Sequence, residues 1–207
     1  MNFENGTVDS IRSISQRALA AYWARLALTK GGLPPFDQFS PGSGLHDPKH
    51  VAVWKVEAGG GQLNFRALYR GSFIDEAVKD EWVGKTLAEV APPGLRQPII
   101  KASEHCASSG CAIYSVLRTY DAGGCAVDLE RLLLPFGTNG RVQMIVASLQ
   151  LVSLEGQVEL GKVVESFLAQ LDVVLSIRIA AASFKETRPK PAGKTALPGN
   201  SKKELAS

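Results

Sequence analysis

Two early stretches, Val51 to Glu57 (VAVWKVE) and Gln62 to Arg70 (QLNFRALYR), are dominated by β-branched and aromatic residues. The Ala58-Gly59-Gly60-Gly61 segment between them is a turn, so together they predict a β-hairpin. The pattern then changes: helix formers come in short bursts at Ile74 to Val78 and Thr86 to Val90, which predict short helices. Pro92-Pro93-Gly94 opens a stronger helix with Leu95, Ile99, Ala102 and Cys106 on one face, and Ser108-Ser109-Gly110 closes it. Strand patterns return at Cys111 to Tyr120, Val127 to Phe136 and Arg141 to Leu151, divided by the turns Asp121-Ala122-Gly123-Gly124 and Thr138-Asn139-Gly140. Three strands on short turns make an antiparallel meander. Strand runs with helices segregated between them predict an α+β fold rather than a doubly wound parallel sheet.

Both flanks read as helical. From Asp9 to Gly31-Gly32, the residues Ile11, Ile14, Ala18, Tyr22 and Leu26 share one helical face. The Pro- and Gly-rich stretch from Leu33 to Pro48 follows as a connector. Beyond the meander, Glu155 to Phe184 carries Leu160, Val164, Phe167, Leu171 and Val174 at spacings of 4 and 3, a seam of about two heptads that would suit a dimer or a helix packed on the sheet. From Thr187 the chain is rich in proline and lysine with little apolar content, which predicts a disordered tail. The implied division is 1–50 for the N-terminal helix and connector, 51–151 for the sheet domain, 152–186 for the C-terminal helix and 187–207 for the basic tail.

Composition narrows the class. Of the 207 residues, 45% are hydrophobic and 21% charged, an ordinary globular balance that excludes a wholly disordered, collagenous or membrane-embedded chain. The net charge of +3 is concentrated: residues 185–207 hold six Lys or Arg against two Glu, so the rest is close to neutral and any nucleic-acid role would rest on the tail. Three cysteines, Cys106, Cys111 and Cys125, are too few for a disulfide scaffold. With neither an apolar leader nor a window of about 18 apolar residues, the expected location is the cytoplasm.

A set of short motifs carries a family resemblance. These are Tyr22-Trp23 with Leu26, Gly32-Leu33-Pro34-Pro35-Phe36-Asp37 running to Pro41, Phe65-Arg66 leading to Gly71-Ser72, Gly84-Lys85-Thr86-Leu87, Glu130-Arg131-Leu132-Leu133-Leu134-Pro135-Phe136, and Gly140-Arg141-Val142. In them the chain resembles a bacterial branch of the PAS-type domains over about Ala18 to Leu151. It departs from that pattern at Leu68, where a second arginine is often found. The resemblance implies a PAS-like five-stranded antiparallel sheet with inserted helices, flanked by N- and C-terminal helices. It further implies a non-catalytic sensory module that binds a small ligand or a protein partner and signals through the flanking helices. The heptad spacing, not the resemblance, adds the expectation of a homodimer through Leu160, Val164, Phe167 and Leu171.

The residues themselves offer several chemistries. Glu130 and Arg131 are neighbours in an otherwise apolar strand, so they point to opposite faces, and a buried one needs a partner: an ion pair with Arg66, Lys85 or Asp128, or a ligand. The expected ligand-binding set is Phe65, Arg66, Trp82, Tyr114, Glu130, Arg131 and Leu133 in a mostly apolar pocket. A small enzyme using the Glu130/Arg131 region, and a ligand-free interaction scaffold, are the alternatives. No catalytic residue, metal or cofactor is expected. Haem through His105 is a secondary option, because some PAS domains bind haem by a histidine on that helix; at 100° per residue His105 lies about 80° from its apolar stripe. His105, Cys106 and Cys111 lack the spacing of a zinc site, and Pro48 between His46 and His50 breaks a helical metal pair. Gly84-Lys85-Thr86 and Gly193-Lys194-Thr195 lack the earlier glycine of a phosphate loop.

Overall fold

The apolar run Leu132 to Phe136 lies in the middle of a sheet that is covered on both faces, which is why it shows no alternation between apolar and polar residues. The computed structural model describes residues 2–39, 47–59, 61–77, 81–120, 124–153 and 172–185. In chain order the elements are β1 (Glu4–Asn5), α1 (Ile14–Lys30), β2 (Val51–Gly59), β3 (Gln62–Arg70), α2 (Ser72–Ala77), α3 (Leu87–Val90), α4 (Pro93–Ser109), β4 (Ala112–Tyr120), β5 (Ala126–Thr138), β6 (Arg141–Ser153) and β7 (Asp172–Ile179). The strands form one sheet in the order β1-β7-β4-β5-β6-β2-β3.

The fold is therefore mixed α+β, with the predicted hairpin, inserted helices and meander in place. The β4-β5-β6 meander joins the β2-β3 hairpin through antiparallel β2–β6 pairing, Val51 opposite Ser148 to Lys55 opposite Met144. The five-stranded expectation is corrected at one edge. The described sheet has seven strands: β7 pairs antiparallel with β4, and the two-residue β1 pairs parallel with β7. The predicted C-terminal helix is corrected over its described part, since Asp172–Ile179 is a strand. Leu175, Ile177 and Ile179 pack into the core at period 2, and this alternation outweighs the 4-and-3 spacing that ran on to Val174. The proposed dimer seam of Leu160, Val164, Phe167 and Leu171 lies outside the described residues, as does the basic tail.

One face of the sheet is covered by α1. Ser13 caps this helix, its hydroxyl accepting from the Gln16 amide, and Gly31 ends it in the left-handed region. The helix cap thus lies four residues after Asp9, which sits in a short 3-10 turn, Val8–Ser10. Its buried face is Gln16, Leu19, Ala20, Trp23, Ala24 and Ala27, rotated from the predicted one; Ile14 is 78% exposed. Hydrogen bonding sets that rotation. The Trp23 indole donates to the Pro135 carbonyl at 2.7 Å, and the fully buried Gln16 amide donates to the Glu130 and Ser148 carbonyls at 3.3 and 3.0 Å. Leu19, Ala20, Trp23 and Ala24 form the first core with Tyr114, Leu132, Leu134 and Phe136.

The other face is covered by α2, α3 and α4. Leu95, Ala102 and Cys106 of α4 are buried as predicted, and the second core joins Ala102 and Cys106 to Trp54, Phe65, Trp82, Ile113, Leu133 and Ile145. At the β5–β6 hairpin, Asn139 and Gly140 both have positive φ (52° and 71°), the geometry a two-residue turn demands. A bulge between Phe136 and Gly137 precedes it. There the Gly137 amide donates to the Pro34 carbonyl, tying the proline connector to the sheet.

Candidate functional site

The middle of β5 places charge on both faces of the sheet. Asp128, Glu130, Leu132 and Leu134 face α1, while Leu129, Arg131 and Leu133 face α4, the alternation any strand imposes. Glu130 and Arg131 are both buried, so the sequence-level choice of one interior residue has the answer that each faces its own interior.

On the α1 face the charges are satisfied. Asp128, whose side chain is fully buried, accepts from Arg118 at 2.7 and 2.9 Å and from Arg12 at 2.8 Å. Hydrogen bonds from Arg118, then from Arg12, hold its carboxyl below the ordinary value against the cost of burial. Glu130 accepts from the backbone amide of Ser13 at 3.2 Å, at the start of α1, where unpaired amides and the helix dipole favour an anion. The Arg12 amide donates to the Tyr114 hydroxyl at 3.3 Å. Burial pushes the Tyr114 phenol well above its usual range, with the Glu130 carboxylate adding to it. Neither Glu130 nor Arg131 takes the ion pair envisaged with Arg66, Lys85 or Asp128: Asp128 is taken by Arg12 and Arg118, and Arg66 pairs with Glu57 at 3.0 Å.

On the α4 face lies a cavity of about 120 Å³. Its wall is made by Ala52 and Trp54 of β2, Phe73 and Ile74 of α2, Leu95, Ile99 and Ser103 of α4, and the inward residues of β5 and β6, with Trp82 and Leu87 closing one side. Arg131 and Ser103 are the polar side chains among otherwise apolar or aromatic ones, Trp82 adding an indole N–H. Arg131 is 4% exposed. It donates from one terminal nitrogen to the Ile99 carbonyl at 3.0 Å and to the Ser103 hydroxyl at 3.4 Å, and its Nε has no acceptor among the described residues. Burial lowers its pKa to about 10, and no carboxylate among the described residues offsets it. The Trp82 indole N–H is likewise buried without an acceptor.

Of the seven residues expected to bind a ligand, the cavity wall contains Trp82 and Arg131. Phe65 and Leu133 belong to the same core but stand outside the wall. Tyr114 and Glu130 are on the opposite face, and Arg66 sits on the β2–β3 surface with its guanidinium on Glu57 and the Gly84 carbonyl. Sequence reasoning missed Ser103 and Ile99, the helix groups that receive Arg131. It also missed Gln16, Arg12 and Arg118, since polar residues in a helix or at a strand end give no hint of a distant acceptor.

His105 turns away from the cavity and stacks on Phe3, ring centroids 4.3 Å apart. Burial, then Arg178, holds its imidazole below the ordinary value. Cys106 is buried and its thiol pushed up by burial, while Cys111 contacts the Ser109 carbonyl. Among the described residues no three His, Cys, Asp or Glu side chains converge on a metal-sized site, and no helix is long and apolar enough to cross a membrane. His50 packs on Phe73, while His46 lies outside the described residues.

No known protein family and no curated protein matches the chain. Among solved structures it is similar to an RNA-binding light-oxygen-voltage receptor, with a TM-score of 0.34 and 19% identity over 70% of this chain and 46% of that one. The chain thus spans less than half the length of that receptor, and similarity this slight identifies neither a family nor an activity.

Proposed function

We propose that the chain is a PAS-type sensory module in which a small, mostly apolar molecule enters the cavity between α4 and the sheet, and β5 passes its presence to α1. The observation that carries this reading is the back-to-back placement of Arg131, in the cavity wall, and Glu130, on the amide that opens α1. A displacement of one turns the strand that holds the other. The hairpin, helices and meander support the PAS-type assignment, as do the motifs that prompted it. Catalysis has less support, because Glu130 is engaged at a helix end and the hydroxyl beside Arg131, that of Ser103, donates to the Ile99 carbonyl rather than to a base. Cavities of about 150 Å³ lined by aliphatic and aromatic groups hold one benzene-sized molecule, which sets the scale of the occupant.

Toluene matches that size and is the probe for the test. Added to the full chain, it should slow amide hydrogen exchange at Ser103, beside the cavity, and also at Ser13 and Gln16 across the sheet. Unchanged exchange at Ser13 and Gln16 in toluene-saturated protein would refute transmission through β5. Absence of binding by toluene and by its polar and acidic counterparts alike would refute the cavity as a receptor and favour a ligand-free scaffold.

A further inference from the structure

The chemistry left unspent in the cavity wall is one-sided. Arginine and tryptophan side chains donate hydrogen bonds and do not accept them. In the wall, Arg131 Nε and Trp82 Nε1 are both buried and both lack an acceptor among the described residues. The Ser103 hydroxyl is already engaged in both senses, donating to the Ile99 carbonyl at 3.0 Å and accepting from Arg131 at 3.4 Å. The acidic groups of β5, Asp128 and Glu130, are on the far face and committed to Arg12, Arg118 and the Ser13 amide. A guanidinium buried among Leu, Ile, Phe and Trp without a counter-charge is costly to keep, and the cost falls when a bound anion supplies the missing charge and acceptor. Surface arginines of this chain show the contrast: Arg66 has Glu57, and Arg118 has Asp128.

We propose that the cavity is selective for a small apolar monocarboxylate, its carboxylate taking hydrogen bonds from Arg131 and its hydrocarbon part filling the space between α4 and the sheet; this rests on the reading of the cavity as a receptor. Size limits the hydrocarbon to about six carbons or one phenyl ring at 120 Å³. A neutral hydrocarbon would fill the space and leave both donors unpaired. An anion without an apolar part would satisfy Arg131 and leave the Trp54, Phe73 and Leu95 walls uncovered.

Isothermal titration of the full chain with toluene, acetophenone, benzoate, hexanoate and inorganic phosphate tests the assignment without any substitution. Benzoate or hexanoate should bind roughly tenfold or more tighter than acetophenone, which has the acceptor without the charge, and phosphate should not bind. Arg131→Met keeps an unbranched apolar stem in place of the arginine's and removes the guanidinium and its charge; it should hold toluene and lose the preference for the acids. Acids binding no tighter than toluene, or Arg131→Met keeping the acid preference, would overturn the ligand class while leaving the cavity as a receptor. Failure of all five probes would overturn both. The ranking in the unsubstituted protein decides alone if the variant does not fold.

Discussion

Asp128 and Arg131 stand three positions apart in one strand and show two ways of burying charge. Asp128 is matched by two guanidiniums, so its depressed pKa stabilises the fold: the contribution is present in full above the ordinary aspartate value, near 4, and is lost as pH falls below it toward the lower folded value. Asp128→Asn should therefore cost about 2 kcal/mol at neutral pH, with a smaller difference from wild type near pH 3. Urea denaturation at both pH values measures this, and an equal difference at the two would show that the carboxylate's charge is irrelevant. Arg12 is 45% exposed at its side chain, so solvent screens its share, and the buried end of the pair dominates.

Among the elements, β5 is the most constrained. Leu133 ends its pairing with β4, so Pro135, which has no N–H to give, falls where none is demanded from that side; its carbonyl is taken by Trp23. Two residues on, a methyl group on Gly137 would run into the Arg141 carbonyl oxygen across the hairpin. Gly137→Ala should destabilise by about 2–4 kcal/mol in thermal or urea melts, and a change within about 0.5 kcal/mol would mean that the bulge relaxes freely. Much of this level is readable from the sequence. The hairpin, the meander and the face of α4 follow from residue type and period, because their buried positions are apolar. The face of α1 does not, because Gln16 is buried to bond strand carbonyls while Ile14 is left outside. Nor is β1 visible, since two residues have no period. The opposition of Glu130 and Arg131 is legible as alternation, but the amide, hydroxyl and carbonyl that receive them lie over a hundred and about thirty positions away, beyond any local pattern.

For the whole molecule, the sheet is closed on its β4 side by residues from both ends of the described chain. β7 hydrogen-bonds to β4 from Ala112 to Arg118, and β1 adds Glu4 and Asn5 beyond it. Ending the chain after Ser153 removes β7, leaves β1 without its neighbour and bares the β4 edge beside Tyr114 and Val116. Such a truncation should self-associate through that edge, as light scattering would report, and melt at a lower temperature. A monodisperse truncated protein with the full-length melting temperature would show that β7 is dispensable.

The tight Asn139-Gly140 turn sets which rung of β5 meets which rung of β6. Were β5 to slide by a single rung, every side chain would change sides: an acid would enter the hydrophobic hollow and a base would press against the positive end of the first helix. Deleting or inserting one residue at this corner would thus invert the polarity of both chambers together, and neither could be retuned independently of the other.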